Sequence, residues 1–140
     1  DYDKSAEAPI LTMMNLSTLT DVLEREEFRD RRGNVRSITV TELGFSSFAG
    51  EKLQAAAFAY CYYILDANPY VDSFIMNRQT DAAEEVKQGL AFGIYDINQS
   101  PKYIYDTFKY IDTDEAWEHT KYMLEVLGAD SLEEALSWAQ

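Results

Sequence analysis

Two short apolar segments separated by a long helical one organise the chain. Ile38 and Val40 alternate with two threonines, and this β-branched run predicts a buried strand that ends at the acid Glu42. Residues 71–76 form a second short and mostly apolar segment, which predicts another strand. Between them, residues 51–67 predict a helix that leaves little of its surface polar and ends at an Asn-Pro pair. We therefore expect this helix to be well buried.

The remaining segments predict mainly helices and loops. Asn15 or Ser17 is expected to cap a first helix, because apolar residues recur behind them at helical spacing. Pro101 is expected at the first position of a later helix. Outside the helices, we expect a loop at residues 1–9 and a strand tail or packed loop at residues 10–14. Residues 26–32 are expected to continue the first helix or to form a short turn, and residues 82–88 to form one or two helical turns. Longer helices are expected at residues 101–111, at 112–127 closed by Gly128, and at 131–138 behind a capping box.

The order of these elements limits the fold. Two strands separated by a full helix predict a right-handed, parallel β-α-β unit. Two parallel strands alone would expose both edges and both faces of their sheet. We therefore expect the chain to belong to a larger sheet or to pair with a second copy of itself. The polar residues 1–4 have no apolar segment behind them, so we expect a fragment boundary or a processed end there.

Charge and composition narrow the classes of partner. The formal net charge is −13, with acids spread over several predicted helices, and such a surface repels phosphate backbones. We therefore expect no nucleic-acid partner. Aromatic residues make up 14% of the chain, which suits carbohydrate stacking, although most aromatic residues are expected to serve the core. No segment is long and apolar enough to predict a membrane span, and localisation stays open, with a secreted or cell-surface parent protein possible.

Single cysteine and histidine residues restrict the chemistry further. Cys61 has no partner for an internal disulfide and lies in a helical run, so we expect a buried, inert thiol. His119 lies on a charged helix, so we expect a solvated residue instead of a catalytic triad or a His-rich metal site. The sequence predicts no metal and no cofactor.

The segment from Thr41 to Ser47, Thr-Glu-Leu-Gly-Phe-Ser-Ser, resembles the seventh-strand motif of the clan A glycoside hydrolases. These are retaining enzymes built on a (β/α)8 barrel. Residues 50–67 then look like the seventh helix and residues 71–76 like the eighth strand. The Gly-Leu at 89–90 and the Pro-Lys-Tyr at 101–103 are similar to the segment that joins the last strand of such barrels to the last helix. Most closely, residues 15–120 resemble the carboxy-terminal portion of an uncharacterised bacterial family of glycosidase-like barrels.

This resemblance implies an α/β fold for residues 1–140. They would form the carboxy-terminal fragment of one catalytic domain, a partial TIM (β/α)8 barrel made of the seventh and eighth βα units with extra C-terminal helices. The rest of the barrel, or a second copy, would cover the sheet edges. The implied function is that of a retaining glycoside hydrolase acting on an oligo- or polysaccharide.

The resemblance also implies the roles of individual residues. Glu42 would be the nucleophile, because a carboxylate can attack the anomeric carbon and form a glycosyl ester. Asn77 and Arg78 follow the second strand and would contact the sugar, with Arg78 also able to keep Glu42 ionised. Phe45 and Phe48 would form a sugar platform.

For four of these residues the sequence leaves a structural alternative open. Glu42 would be a surface acid that ends a strand, and Arg78 would pair with Asp81 or Glu84 at the surface. The two phenylalanines would pin their loop to the barrel.

Two departures from the family pattern limit the implied activity. These barrels often carry Trp after the eighth strand, where this chain has Met76 and Asn77. The acid/base glutamate that follows the fourth strand has no counterpart here, and Asp72 and Asp81 lack its placement. A retaining mechanism needs two carboxyl groups roughly 5–5.5 Å apart, so we expect the chain alone to be inactive. The alternatives are a non-catalytic carbohydrate-binding or protein-interaction module derived from a barrel, and an independent helical α/β interaction module.

Overall fold

The computed structural model describes residues 10–139. Short 3-10 turns at Met13–Asn15, Glu26–Phe28 and Ser47–Ala49 join the main elements. In chain order these are α1 (Leu16–Leu23), β1 (Ile38–Leu43), α2 (Glu51–Asp66), β2 (Val71–Met76), α3 (Ala83–Val86), α4 (Ile104–Tyr110), α5 (Ala116–Thr120), α6 (Tyr122–Leu127) and α7 (Leu132–Ser137). The predicted loop at residues 1–9 lies outside the described part of the chain.

Strands β1 and β2 pair in parallel, as the sequence predicts, with α2 as the crossover helix. Ile38 lies opposite Val71 at the start of the ladder, and Leu43 lies opposite Met76 at its end. The register shifts twice, between Ile38 and Thr39 and between Val40 and Leu43. The second irregularity lets Val40 and Leu43 both reach the apolar layer beneath the sheet although they are three positions apart.

The expected partial (β/α)8 barrel is wrong. Residues 10–139 form one sheet of two strands, β1 and β2, surrounded by helices, and no larger arc of strands is present in this range. The physical reason is that only two segments combine β-branched composition with strand length. Closing a barrel requires a full ring of tilted strands, and two strands cannot supply it.

Helix α2 forms the centre of the core. Its sixteen residues include Ala55, Ala59 and Phe58, which are almost completely buried. On one side they pack against Ile104 of α4 and Met123 of α6, and no surface of either residue is exposed. The small alanine side chains allow these helices to approach α2 closely. The prediction of a well-buried helix at residues 51–67 is confirmed.

A second apolar cluster lies between α2 and β1. Leu16 from α1, Ile38 from β1 and Leu65 from α2 are its buried members, together with Cys61. Thr12 caps the 3-10 turn that leads into α1, and the Asn15 side chain accepts a hydrogen bond from the Thr12 backbone N–H at 2.6 Å. The capping box of Thr12 and Asn15 therefore begins about one turn before Asn15 or Ser17, the N-cap positions that the sequence predicts.

Two helices differ from their predicted bounds. The helix expected at residues 101–111 begins at Ile104, because Pro101 forms a bridge with Tyr95 and the Lys102 N–H donates to the Ile94 carbonyl. The helix expected at residues 112–127 is split at Lys121 into α5 and α6. The hydroxyl of Thr120 donates back to the Ala116 carbonyl at 2.8 Å, a bond that bends helices.

Helices α3 and α7 lie where they are predicted, but the capping box expected before α7 forms only in part, because the Glu134 carboxylate accepts the Asp130 N–H at 2.8 Å and not that of Ser131. Residues 83–86 form one short turn of helix, α3, within the predicted range. Gly128 ends α6 in the left-handed region at φ 74°, where glycine carries no steric penalty. Ser131 accepts the Glu134 N–H at 3.1 Å and so caps α7. No helix among residues 10–139 has the length and apolar composition needed to cross a bilayer.

Candidate functional site

The carboxyl ends of β1 and β2 lie side by side, and we call Glu42, Asn77 and Arg78 together the carboxyl edge. The Asn77 N–H donates to the Leu43 carbonyl at 2.9 Å, which joins the ends of the two strands. Glu42 is the fifth residue of β1 and its side chain is exposed. Its carboxylate forms no hydrogen bond or ion pair with the described residues. The carboxylate is therefore free to meet a ligand.

The backbones of the two strand ends approach each other closely at Gly44. A Cβ atom at this position would collide with the Asn77 carbonyl oxygen, which belongs to the backbone and cannot rotate away. The peptide bond that follows, between Asn77 and Arg78, is cis. Glycine at position 44 is therefore required by packing, and it brings the strand that carries Glu42 against Asn77.

Arg78 is engaged by a residue that sequence reasoning did not select. Its guanidinium forms an ion pair with Glu85 of α3 at 3.0 Å, and both side chains are 37% exposed. The alternatives left open by the sequence, Asp81 and Glu84, pair instead with Lys102 and with Lys87. Arg78 and Glu85 therefore form a paired unit after the end of β2, and no ion pair joins Arg78 to Glu42.

The two phenylalanines of the loop after β1 have different environments. Phe45 is half-buried and packs against both apolar clusters, so it acts as a packing residue that holds the loop to the core. Phe48 is 78% exposed, and its ring lies next to Gly89. Of this pair, only Phe48 presents an open aromatic surface for a sugar.

Hydrogen bonds fix this loop to the segment formed by residues 89–93. The Ser46 hydroxyl donates to the Gly89 carbonyl at 2.6 Å and accepts the Ala91 N–H at 3.1 Å. The buried Gln54 amide donates to the carbonyl oxygens of Phe45 and Gly93 at 2.9 and 3.1 Å. The position of Phe48 is therefore set by two polar side chains that the sequence did not single out.

A buried ion pair supports the same segment. Lys102 and Asp81 are 3.1 Å apart, and their side chains are only 3% and 6% exposed. Lys102 also donates to the Ala91 carbonyl at 3.0 Å, and the Asp81 carboxylate accepts the Gly93 N–H. Both charges are thus partnered in the interior, as burial of ions requires. The only sequence signal for this pair is a lysine placed directly behind Pro101.

A second polar recess lies away from the carboxyl edge. We call it the tyrosine cleft; it has a volume of about 640 Å³. Its main polar and aromatic lining residues are Tyr103, Tyr105, Tyr122, Glu51, Asp106, Glu118 and His119. The Tyr103 ring is 48% exposed and meets Tyr122 edge to face at 5.2 Å. The cleft therefore offers one oriented aromatic surface among several hydrogen-bonding groups.

Cys61 and His119 both occupy packed positions. Burial raises the pKa of the Cys61 thiol to about 12, which agrees with the expected inert role. His119 is half-buried and stacks on Tyr110 at 4.0 Å, so it is less solvated than the sequence indicates. Within residues 10–139, no group of three His, Cys, Asp or Glu side chains is placed to hold a metal ion.

Comparison with known proteins places this chain in a family without giving it an activity. A model of a family of unknown function, DUF5722, matches residues 1–135 of the 140. The searches of curated proteins and of solved structures found no match.

Proposed function

The chain belongs to the DUF5722 family, and we propose that it supplies the nucleophile and part of the sugar-binding surface of a retaining glycoside hydrolase. Glu42 is the nucleophile in this proposal, and Asn77, Arg78 and Phe48 contact the sugar. The observation that carries the proposal is the exposed Glu42 carboxylate, which pairs with no described residue and lies on the strand whose end is hydrogen-bonded to Asn77.

The chemistry requires a group of this type. The carboxylate oxygen attacks the anomeric carbon while the glycosidic oxygen leaves with a proton from an acid. Water then hydrolyses the glycosyl ester and restores the Glu42 carboxylate. The Glu42 carboxylate is exposed and pairs with no described residue, so it is open to approach by an anomeric carbon.

Neither Asp72 nor Asp81 provides the second carboxyl group. Asp72 is the second residue of β2, whereas Glu42 lies opposite the end of that strand. Three to four strand residues separate the two positions, which is roughly 10–13 Å. The retaining geometry needs roughly 5–5.5 Å. Asp81 is buried against Lys102 and is not available. Glu85 is engaged by Arg78. The proposal therefore takes the acid from outside the described residues, and it predicts that the chain alone does not turn over.

A second candidate function is carbohydrate binding without catalysis, at the tyrosine cleft. Tyr103 is half-exposed and held in orientation by Tyr122, whose hydroxyl is hydrogen-bonded to Thr107 at 2.8 Å. Aromatic surfaces flanked by a few polar groups are typical of small-molecule sites. Glu51, Asp106 and the half-buried His119 supply such groups around the ring.

Titration of the full chain with a panel of neutral mono- and oligosaccharides, followed by amide NMR, tests both candidates. The proposal predicts shifts that centre on Phe48, Asn77 and Arg78, and a loss of affinity of about tenfold in Glu42→Gln. Glu133→Gln removes the same charge from an exposed position on α7 and should bind normally.

The possible results separate the candidates. Shifts centred on Tyr103, abolished by Tyr103→Ala and unchanged by Glu42→Gln, would replace the first candidate with the second. No saturable shift for any sugar in the panel would contradict both. Steady-state release of aryl alcohol from aryl glycosides that depends on Glu42 would contradict the inference that the acid lies elsewhere.

A further inference from the structure

The outer edge of β2 is lined by a groove that the proposed sugar chemistry does not use. In the described part of the chain β2 pairs with β1 on one side, so the backbone groups of its other side face no strand. The groove has a volume of about 400 Å³ and touches residues 71–74 and Met76. Successive residues of a strand point to opposite faces of the sheet. A groove that contacts four residues in succession, 71–74, therefore runs along the edge of the strand.

The floor of this β2 edge groove is aromatic. Phe58 of α2 lies 5.7 Å from the ring of Phe74 and 5.7 Å from the ring of Phe108. Phe108 is 43% exposed, and Ile111 and Leu65 continue the apolar lining. An extended chain lying here would therefore find unpaired backbone groups on one side and apolar surface beneath it.

The rim of the groove is acidic. Asp66, Asp72 and Asp112 line it with exposed side chains, and the lining residues include no lysine or arginine. The Tyr62 hydroxyl donates to the Asp112 carboxylate at 3.2 Å. Burial, together with the negative charge of Asp112 and Asp66, raises the pKa of Tyr62 to about 12, as expected where negative charge accumulates. The chain as a whole carries a net charge of −13.

We propose that the β2 edge groove binds an extended, basic segment of a partner protein, which adds a third strand beside β2. Its apolar side chains lie on Phe108 and Phe74, and its lysine or arginine side chains meet the three aspartates. Charge complementarity selects this occupant over a second copy, because two such edges would bring like charges together between two chains that are each strongly acidic.

The probe is a fluorescein-labelled nine-residue peptide of alternating lysine and valine, titrated with the full chain at physiological salt. We expect saturable one-to-one binding by fluorescence anisotropy, and slower amide hydrogen exchange at residues 71–76 when the peptide is bound. The same peptide methylated on alternate backbone nitrogens keeps its charge but cannot complete strand pairing. It should bind at least about tenfold more weakly.

Two variants test the side-chain part of the proposal. The triple variant Asp66→Asn, Asp72→Asn, Asp112→Asn should weaken peptide binding about tenfold or more. Its matched control is Asp114→Asn, Asp130→Asn, Glu133→Gln, which removes equal charge from exposed positions outside the groove lining. Phe108→Ala should weaken binding while leaving the far-UV circular dichroism unchanged, because the Phe108 ring is partly exposed.

Each contrary result overturns the proposal. No saturable binding would do so directly. If both triple variants bound the peptide equally weakly, or if the methylated and unmethylated peptides bound equally well, the peptide would be attracted to any acidic surface and not to this groove. A dimer seen by light scattering, with residues 71–76 protected from exchange without peptide, would assign the groove to a second copy of the chain.

Discussion

Removing the charge of Lys102 should destabilise the fold more than any surface substitution. The Asp81 side chain is only 6% exposed. In Lys102→Met its carboxylate loses the ion pair with Lys102 and keeps the hydrogen bond from the Gly93 N–H. Breaking a buried pair from one side typically costs about 3–5 kcal/mol, because it leaves an uncompensated charge in the interior. The same variant should also loosen residues 89–93, to which the loop carrying Phe48 is hydrogen-bonded.

A double-mutant cycle isolates this effect. Asp81→Asn keeps an oxygen acceptor for Gly93 and removes the charge, so adding it to Lys102→Met should recover much of the lost stability. Urea unfolding followed by circular dichroism gives the free energy of unfolding of each variant. At roughly 3 °C per kcal/mol, the single Lys102→Met change corresponds to a drop in melting temperature on the order of 10–15 °C.

Lys87→Met provides the control, because its partner Glu84 is 80% exposed and an exposed pair contributes about 0–1 kcal/mol. A loss of unfolding free energy in Lys102→Met no larger than in Lys87→Met would contradict the stabilising role of the buried pair. Additive losses of unfolding free energy in the double variant at positions 81 and 102 would contradict it as well.

Three further predictions follow from packing and burial. Gly44→Ala should destabilise the chain by about 1–3 kcal/mol in urea unfolding, since its Cβ would meet the Asn77 carbonyl oxygen; a neutral effect would contradict the close approach of the strand ends. Cys61 should resist a thiol reagent at pH 8 until urea unfolds the chain, because its thiol is buried and its pKa is raised to about 12; rapid labelling of the folded chain would contradict its burial. The pKa values of Tyr62 and Tyr122 are raised to about 12, chiefly by burial, so their contribution to stability is complete below pH 10 and is lost as the pH rises from about 10 to 12. Absorbance at 295 nm should show both phenols ionising later than free tyrosine, and ionisation of all tyrosines near pH 10 would oppose this.

The β-α-β unit could be predicted because its signals are local. Ile38 and Val40 carry the β-branched composition of β1, and the apolar run at Val71–Met76 defines β2. A full helix between two strands then predicts that they are parallel. The barrel was wrong because it came from the resemblance of an ordered set of short segments, whereas residues 10–139 form a sheet of two strands.

The contacts around the candidate site could not be predicted, because they depend on distant parts of the chain. Lys102 lies in the interior because it pairs with the carboxylate of Asp81, twenty-one residues earlier, although lysine is normally an exposed residue. Arg78 pairs with Glu85 because α3 turns that residue, and not Glu84, toward it. Glu42 is different: its exposure follows from the strand end at which the sequence places it.

Covalent trapping of Glu42 tests the proposed chemistry most directly. Fluoride leaves without protonation, so 2-deoxy-2-fluoroglycosyl fluorides require the nucleophile and not the missing acid. The account predicts that at least one sugar of a panel labels the full chain once, that peptide mapping by mass spectrometry places the sugar on Glu42, and that Glu42→Gln is not labelled. Labelling of other exposed carboxylates at the same rate, or no labelling of Glu42 by any sugar, would contradict it.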